Sequence, residues 1–226
     1  MEARSRTRHE GTPALTTSMD TLLYWVGLAA VAVNALTGVL DSGRKQMDLI
    51  GALLVGVATA LGGGTVRDLL LDRNVFWVVD QTYLVTALGT GFLTFFIARA
   101  LPLPPKLFLI PDAIGLALFT IVGTQVALQW HTPWLVASLM GVTTGIVGGV
   151  LRDILCNDVP LVFLKGELYA SAAWLGALTL IVLQELGLHA VAATWIAMAV
   201  VLALRLAAMR FHLTLPEFRQ QKTPAD

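Results

Sequence analysis

Long apolar runs joined by short polar or proline-rich links fill the chain from Thr21 to Met209. A helix needs about 20 apolar residues to cross a bilayer core. On that measure seven runs qualify: Thr21–Leu40, Asp48–Leu71, Thr82–Leu101, Pro111–Trp130, Pro133–Cys156, Glu167–Gln184 and His189 to Met209. The links carry stop signals. Asp41-Ser-Gly-Arg-Lys45 ends the first run, Pro102 and Pro104-Pro105 end the third, and Glu185-Leu-Gly187 ends the sixth. Pro111 suits a first helical turn, where its missing N–H would lack a partner anyway. The pattern predicts an all-α membrane protein of seven transmembrane helices. It forms one membrane domain over about residues 19–209, between loose polar tails at 1–18 and 210–226.

Composition agrees. Hydrophobic residues make up 56% and charged residues 13%, where a soluble domain has roughly 25% charged; mean hydropathy is +0.75. The run after the arginine-bearing N-terminus is longer than the about 7–15 residues of a signal-peptide core, so it is expected to be retained as a first span. A formal net charge of zero gives no electrostatic case for nucleic acid. The single cysteine, Cys156, excludes an internal disulfide and a multi-cysteine metal site, and His9, His131, His189 and His212 form no helical i, i+4 pair. No metal or cofactor is expected. With no GxSxG, HExxH or P-loop, neither is an enzyme.

One stretch stands out. GVATALGGGTVRDLLLD, Gly56 to Asp72, places Gly62, Gly63 and Gly64 in an apolar helix and follows them with Arg67 and Asp68. It recurs 85 residues later as Gly141 to Asp158, GVTTGIVGGVLRDILCND, with Gly148, Gly149, Arg152 and Asp153 in the matching places. Thr59 matches Thr144, Gly38 matches Gly123, and with one residue inserted Gln81-x-Tyr83 matches Glu167-x-Tyr169. The chain therefore reads as two repeats, about 20–101 and 111–186, plus an unpaired seventh helix at 189–209. Three spans per repeat is odd, so the second repeat is expected to be inverted relative to the first.

Gly56, Ala60 and Gly64, and likewise Gly141, Gly145 and Gly149, form small-residue stripes suited to close helix packing. Gly62, Gly63 and Gly148 fall outside those stripes. Each costs about 1 kcal/mol of helix propensity relative to Ala, which predicts a local break near the midplane, lining a cavity with free carbonyls for a cation or free N–H groups for an anion. Neighbours on a helix point about 100° apart, so Arg67 and Asp68 are expected to need other partners. They could lock adjacent helices or flank a polar pore, as could Arg152 and Asp153. Tyr83 and Tyr169 read as interfacial anchors, or as hydroxyls on the polar path. Counting Lys and Arg gives ten against five for a cytoplasmic C-terminus with the N-terminus outside.

The doubled motif, GGGTVRDLLL with GGVLRDIL, resembles the prokaryotic branch of the trimeric intracellular cation (TRIC) channels, a family also described as bacterial glycine transporters. Gly43-Arg44-Lys45-Gln46-Met47-Asp48, Phe76-Trp77, Asp112-Ala-Ile-Gly-Leu-Ala-Leu-Phe-Thr120 and Val159-Pro160-Leu161 fit the same family. The resemblance implies a homotrimer in membrane lipid, with one hourglass pore per protomer for monovalent cations such as K⁺ and Na⁺. Glycine-kinked spans two and five would line it, through Gly62, Gly63, Gly64, Arg67, Asp68, Gly148, Gly149, Arg152 and Asp153. Val147 stands where the first motif has Gly62, which implies a tighter second kink. An arginine opposes a cation unless Asp68 and Asp153 neutralise it or it points away. The competing readings are a secondary carrier of a small neutral solute such as glycine and a non-transport scaffold.

Overall fold

The computed structural model describes residues 13–101, 104, 107–164 and 168–214. Of the expected loose tails at 1–18 and 210–226, residues 1–12 and 215–226 lie outside the described residues, as does Glu167, the expected start of the sixth span. The rest is corrected, since the first helix already begins at Pro13 and the last runs on to Phe211. The described chain is helical: α1 Pro13–Arg44, α2 Leu49–Leu70, short α3 Phe76–Val79, α4 Thr82–Ala100, α5 Leu109–Gln129, α6 Trp134–Leu155, α7 Tyr169–Glu185 and α8 Ala190–Phe211. Six of them are long and apolar enough to cross a membrane. The sixth run of the sequence, α7, has only 17 residues in helix.

Apolar composition makes these segments helical at membrane depth, because only intrahelical hydrogen bonds satisfy the backbone there. Local chemistry sets their ends. The Asp48 side chain caps α2 by accepting the Gly51 N–H at 2.7 Å. α2 and α6 stop alike. Asp72 and Asn157 adopt left-handed φ angles of 50° and 55°, which Asp and Asn tolerate best after glycine. Just beyond, the Arg73 N–H reaches the Asp68 carbonyl at 3.0 Å, and the Asp158 N–H reaches the Asp153 carbonyl at 2.8 Å.

α1 packs against α2, α4 and α5, while α5 packs against α6, α7 and α8. Leu23, Val26, Leu116, Ile121, Leu180 and Val201 form one core, joining α1, α5, α7 and α8. Val31, Ala35, Ala60, Leu61 and Ala87 form another, joining α1, α2 and α4. Large apolar side chains such as Leu54, Leu93, Ile97, Leu175 and Ile196 stay exposed on the outer faces, as a lipid-bathed protein requires.

The two glycine-bearing helices cross directly. A Cβ on Gly63 would strike the Thr144 carbonyl, and one on Gly148 would strike the Thr59 carbonyl. The expected break is therefore corrected: α2 and α6 run as unbroken helices through their glycines. The physical reason is packing. Gly63 and Gly148 admit the facing backbone where any side chain would hold it off. The same holds for Val147, which sits inside a continuous helix with no second kink.

The stripe glycines pack elsewhere. Gly56 meets Val39 and the Ala35 carbonyl of α1, and Gly141 meets Thr124 and the Thr120 carbonyl of α5. Gly145 meets Thr120 and Leu116, and Ala60 is fully buried. Gly38 and Gly123 admit Thr59 and Thr144 in turn.

Gly63→Ala and Gly148→Ala should each lower stability by about 1–3 kcal/mol, the usual cost of overpacking, despite alanine's better helix propensity. Gly89→Ala, whose added Cβ meets nothing within 4 Å, should be neutral or stabilising by up to about 1 kcal/mol. Thermal unfolding of the three variants in one detergent tests this; indistinguishable midpoints would rule out a tight α2/α6 crossing.

Candidate functional site

Beyond the crossing, each motif ends in an arginine-aspartate cluster. Arg67 Nε donates to Asp68 Oδ1 at 2.8 Å, and Arg152 Nε donates to Asp153 Oδ1 at 2.8 Å. The expectation that neighbours on the helix do not face each other is corrected in part: each arginine does reach the next aspartate, while Asp68, Arg152 and Asp153 also find the further partners that were expected. The Cβ directions do diverge, but the arginine side chain is long enough to fold back across the turn. Each carboxylate then uses its other oxygen on the link that follows. Asp68 Oδ2 accepts the Phe76 N–H at 2.9 Å, and Asp153 Oδ2 accepts the Leu161 N–H at 2.7 Å. One side chain thus ties an intramembrane charge, a helix end and the next link together.

The clusters sit at opposite ends of the bundle. The Arg67 cluster lies by the start of α1, near Asp20 and Tyr24, and the Arg152 cluster by its end, near Asp41. Their surroundings differ sharply. Arg152 is fully buried and faces three carboxylates: Asp112 at 2.6 Å, Asp153 at 2.8 Å and Asp41 at 3.5 Å. The Tyr169 hydroxyl donates to Asp112 Oδ1 at 3.1 Å. The Arg205 guanidinium lies over the Tyr169 ring at 4.7 Å and 4.0 Å from Asp112 Oδ2. Arg44 pairs with Asp41 at 2.6 Å. The result is a filled, charge-rich network.

Arg67 is buried as well, but its packing is incomplete. It lines a cavity of about 240 Å³ with Tyr24, Gly27, Gly64, Arg73, Tyr83 and Gln129. Among the described residues its carboxylate partner is Asp68, which also meets Arg73 at 3.5 Å. Gly64 lies under the Phe76 ring, Gly62 against Leu151, and Gly149 under the Tyr169 hydroxyl. Of the residues expected on the path, Gly64 and Arg67 line this cavity, while Gly63, Gly148, Arg152, Asp68 and Asp153 are buried in contacts. Tyr169 is a buried donor instead of an interfacial anchor, and Tyr83 lines the cavity.

Asp41, Asp112, Arg205 and Arg73 escaped the sequence reading as site residues. The signal was available for two of them, since an ionisable residue inside an apolar span is rarely idle. Asp112 opens the fourth run and Arg205 interrupts the seventh. Among the described residues no cluster of three or more His, Cys, Asp and Glu side chains could hold a metal ion.

The family model described as "Glycine transporter" matches residues 24–99 and 109–185. The chain belongs to this family, a group of multi-pass membrane proteins. It is 42% identical over 209 residues to the inner membrane protein YadS of Escherichia coli K12, covering 87% of this chain and 96% of that one. It is 39% identical to a membrane protein of Vibrio cholerae, covering 91% of this chain and 87% of that one. Among solved structures it resembles the TRIC trimeric intracellular cation channel orthologue from Rhodobacter sphaeroides. There the TM-score is 0.81 at 36% identity, over 85% of this chain and 100% of that one. A prokaryotic TRIC channel crystallised in 0.5 M KCl gives 0.80 at 26% identity, over 87% and 100%.

Removing one member of a buried ion pair strands the other and typically costs about 3–5 kcal/mol. Asp112→Ala should therefore destabilise by about 3 kcal/mol, since Asp153 and Asp41 still face Arg152. Tyr169→Phe should cost about 1 kcal/mol, one hydrogen bond. Denaturation in detergent measures both; a wild-type midpoint for Asp112→Ala would disprove the network.

Proposed function

We propose that this protein is a homotrimeric channel for monovalent cations, K⁺ or Na⁺, in the bacterial inner membrane. Each protomer would carry its own path between α2 and α6. The observation that carries this reading is the likeness to TRIC cation channels at a TM-score of 0.81 and 36% identity across the whole of that chain. Two inverted repeats, about 20–101 and 111–186, with α7 as the sixth span and α8 as an unpaired seventh, would make up a membrane domain over about 19–209. The matched family segments, which start 85 residues apart at 24 and 109, support that division. The N-terminus would face outside and the C-terminus the cytoplasm.

In this reading the α2/α6 crossing at Gly62, Gly63, Gly64, Gly148 and Gly149 is the constriction. The Arg67–Asp68 and Arg152–Asp153 clusters guard its two ends. A bare guanidinium would repel a cation, so the adjacent carboxylates are what make such a path tolerable. Arg152, ringed by Asp41, Asp112 and Asp153, is well compensated.

A specific observation favours a second reading. The matching family carries the description "Glycine transporter". A carrier of a small zwitterion would use the same helices in alternating access.

Purified protein in liposomes under an imposed K⁺ gradient separates the two. Potential-driven K⁺ leak in glycine-free buffer, from trimers that survive cross-linking, is the expected result. Saturable glycine uptake with negligible K⁺ conductance would overturn the channel and leave the carrier.

A further inference from the structure

The two arginine clusters are built from corresponding parts, and one part is missing from the first. Arg67 corresponds to Arg152, Asp68 to Asp153 and Tyr83 to Tyr169. In the second cluster the Asp112 carboxylate completes the set, accepting from Arg152 Nη1 at 2.6 Å and from the Tyr169 hydroxyl at 3.1 Å. The residue 85 positions before Asp112 is Gly27. Its direction is right for the missing group: a Cβ on Gly27 would lie 3.3 Å from the Tyr83 hydroxyl. In place of a side chain there is the cavity of about 240 Å³, with Arg67, Arg73, Tyr24 and Tyr83 on its wall.

Charge points the same way. Among the described residues three carboxylates face Arg152, whereas the Arg67 and Arg73 guanidiniums share Asp68. Both Asp68 oxygens are engaged, one by the guanidiniums and one by the Phe76 N–H. Two other acidic groups are near, Asp20 on the cavity wall and Asp80 outside it, and both have local partners. Asp20 is exposed and accepts from Gln129 at 3.3 Å; Asp80 accepts the Thr82 N–H at 2.9 Å. Two guanidiniums and two phenols here meet two carboxylates that already have partners, Asp68 and the exposed Asp20. The place left open beside Arg67 and Tyr83 favours an anion with planar oxygens, because a guanidinium presents its N–H groups as a fork matched to a carboxylate.

We propose that this cavity binds a small carboxylate, held by Arg67 and Tyr83 where the chain's own Asp112 carboxylate stands in the other cluster. The volume suits an anion of a few heavy atoms, a free short-chain acid or the carboxylate end of a small amino acid. Such binding is independent of whether the chain conducts cations or carries solute.

Saturation-transfer NMR of the acetate methyl signal, on full-length protein in detergent at constant ionic strength, tests it. Wild-type protein should give a saturable acetate signal that equimolar chloride does not displace. Gly27→Asp supplies the missing carboxylate in cis and should weaken acetate binding by at least about tenfold, while raising the unfolding temperature if it completes the cluster. Should Gly27→Asp not fold, Tyr83→Phe keeps the shape, removes one donor and should weaken binding by about fivefold. Displacement of acetate by glycine would identify an amino acid as the bound form; its failure to compete would identify a simple acid. Undiminished acetate binding in folded Gly27→Asp or Tyr83→Phe, or full displacement by chloride, would overturn the proposal.

Discussion

The crossing of α2 over α6 is the constraint on which the rest of this structure depends. Lipid tails are as apolar as the side chains they touch, so helices in a bilayer associate through close packing and polar contacts, with little help from hydrophobic exclusion. Here the closest approach is backbone to backbone: Gly63 against the Thr144 carbonyl and Gly148 against the Thr59 carbonyl. No residue with a Cβ fits either place without moving the opposite helix. Because the two contacts are reciprocal, the crossing point is set in both helices at once. Arg67 and Arg152, each four residues beyond its crossing glycine, are thereby carried to opposite ends of the bundle.

Burying those arginines demands compensation, and the chain supplies it unequally. Around Arg152 the carboxylates of α1, α5 and α6 converge, with a tyrosine from α7 and an arginine from α8. Five helices are thus held in register by one buried polar network, in which loss of any member strands the others. Around Arg67 the network is thinner and open to a cavity. A path between α2 and α6 would run from an open mouth beside Arg67 to a filled network at Arg152, where three carboxylates meet three guanidiniums. The two ends thus differ in openness and packing, even though the two motifs are nearly identical in sequence.

Much of this was legible in the residues. Apolar run lengths predicted the helices, and the doubled GGGTVRDLLL motif pointed to both clusters and to their correspondence. The carboxylate after each arginine was legible as a motif position, and in the fold it bonds both the arginine and the following link. Its geometry was not legible: the 100° rule describes Cβ directions, and a long guanidinium defeats it. The glycines were read as a break because their propensity is poor. In the bundle the cost is outweighed by the backbone approach they permit, and the helix stays intact. Asp112 and Arg205 stayed hidden because their partners lie 40 or more residues away, on helices whose rotation no periodicity in a uniformly apolar span reveals.

By itself, then, the sequence determined that this is a membrane protein of long helices, that its halves share a motif, and which charges that motif carries. Those properties follow from hydropathy, length and repetition, which are local and additive along a chain. Tertiary structure alone decided that Gly63 and Gly148 are contact points instead of hinges. It also decided that Asp41 and Asp112 converge on Arg152, and that Gly27 leaves open at Arg67 the place that Asp112 fills at Arg152. The reason is physical. Rotation about a helix axis and the depth of a crossing depend on which two surfaces meet, and neither surface carries that information without the other.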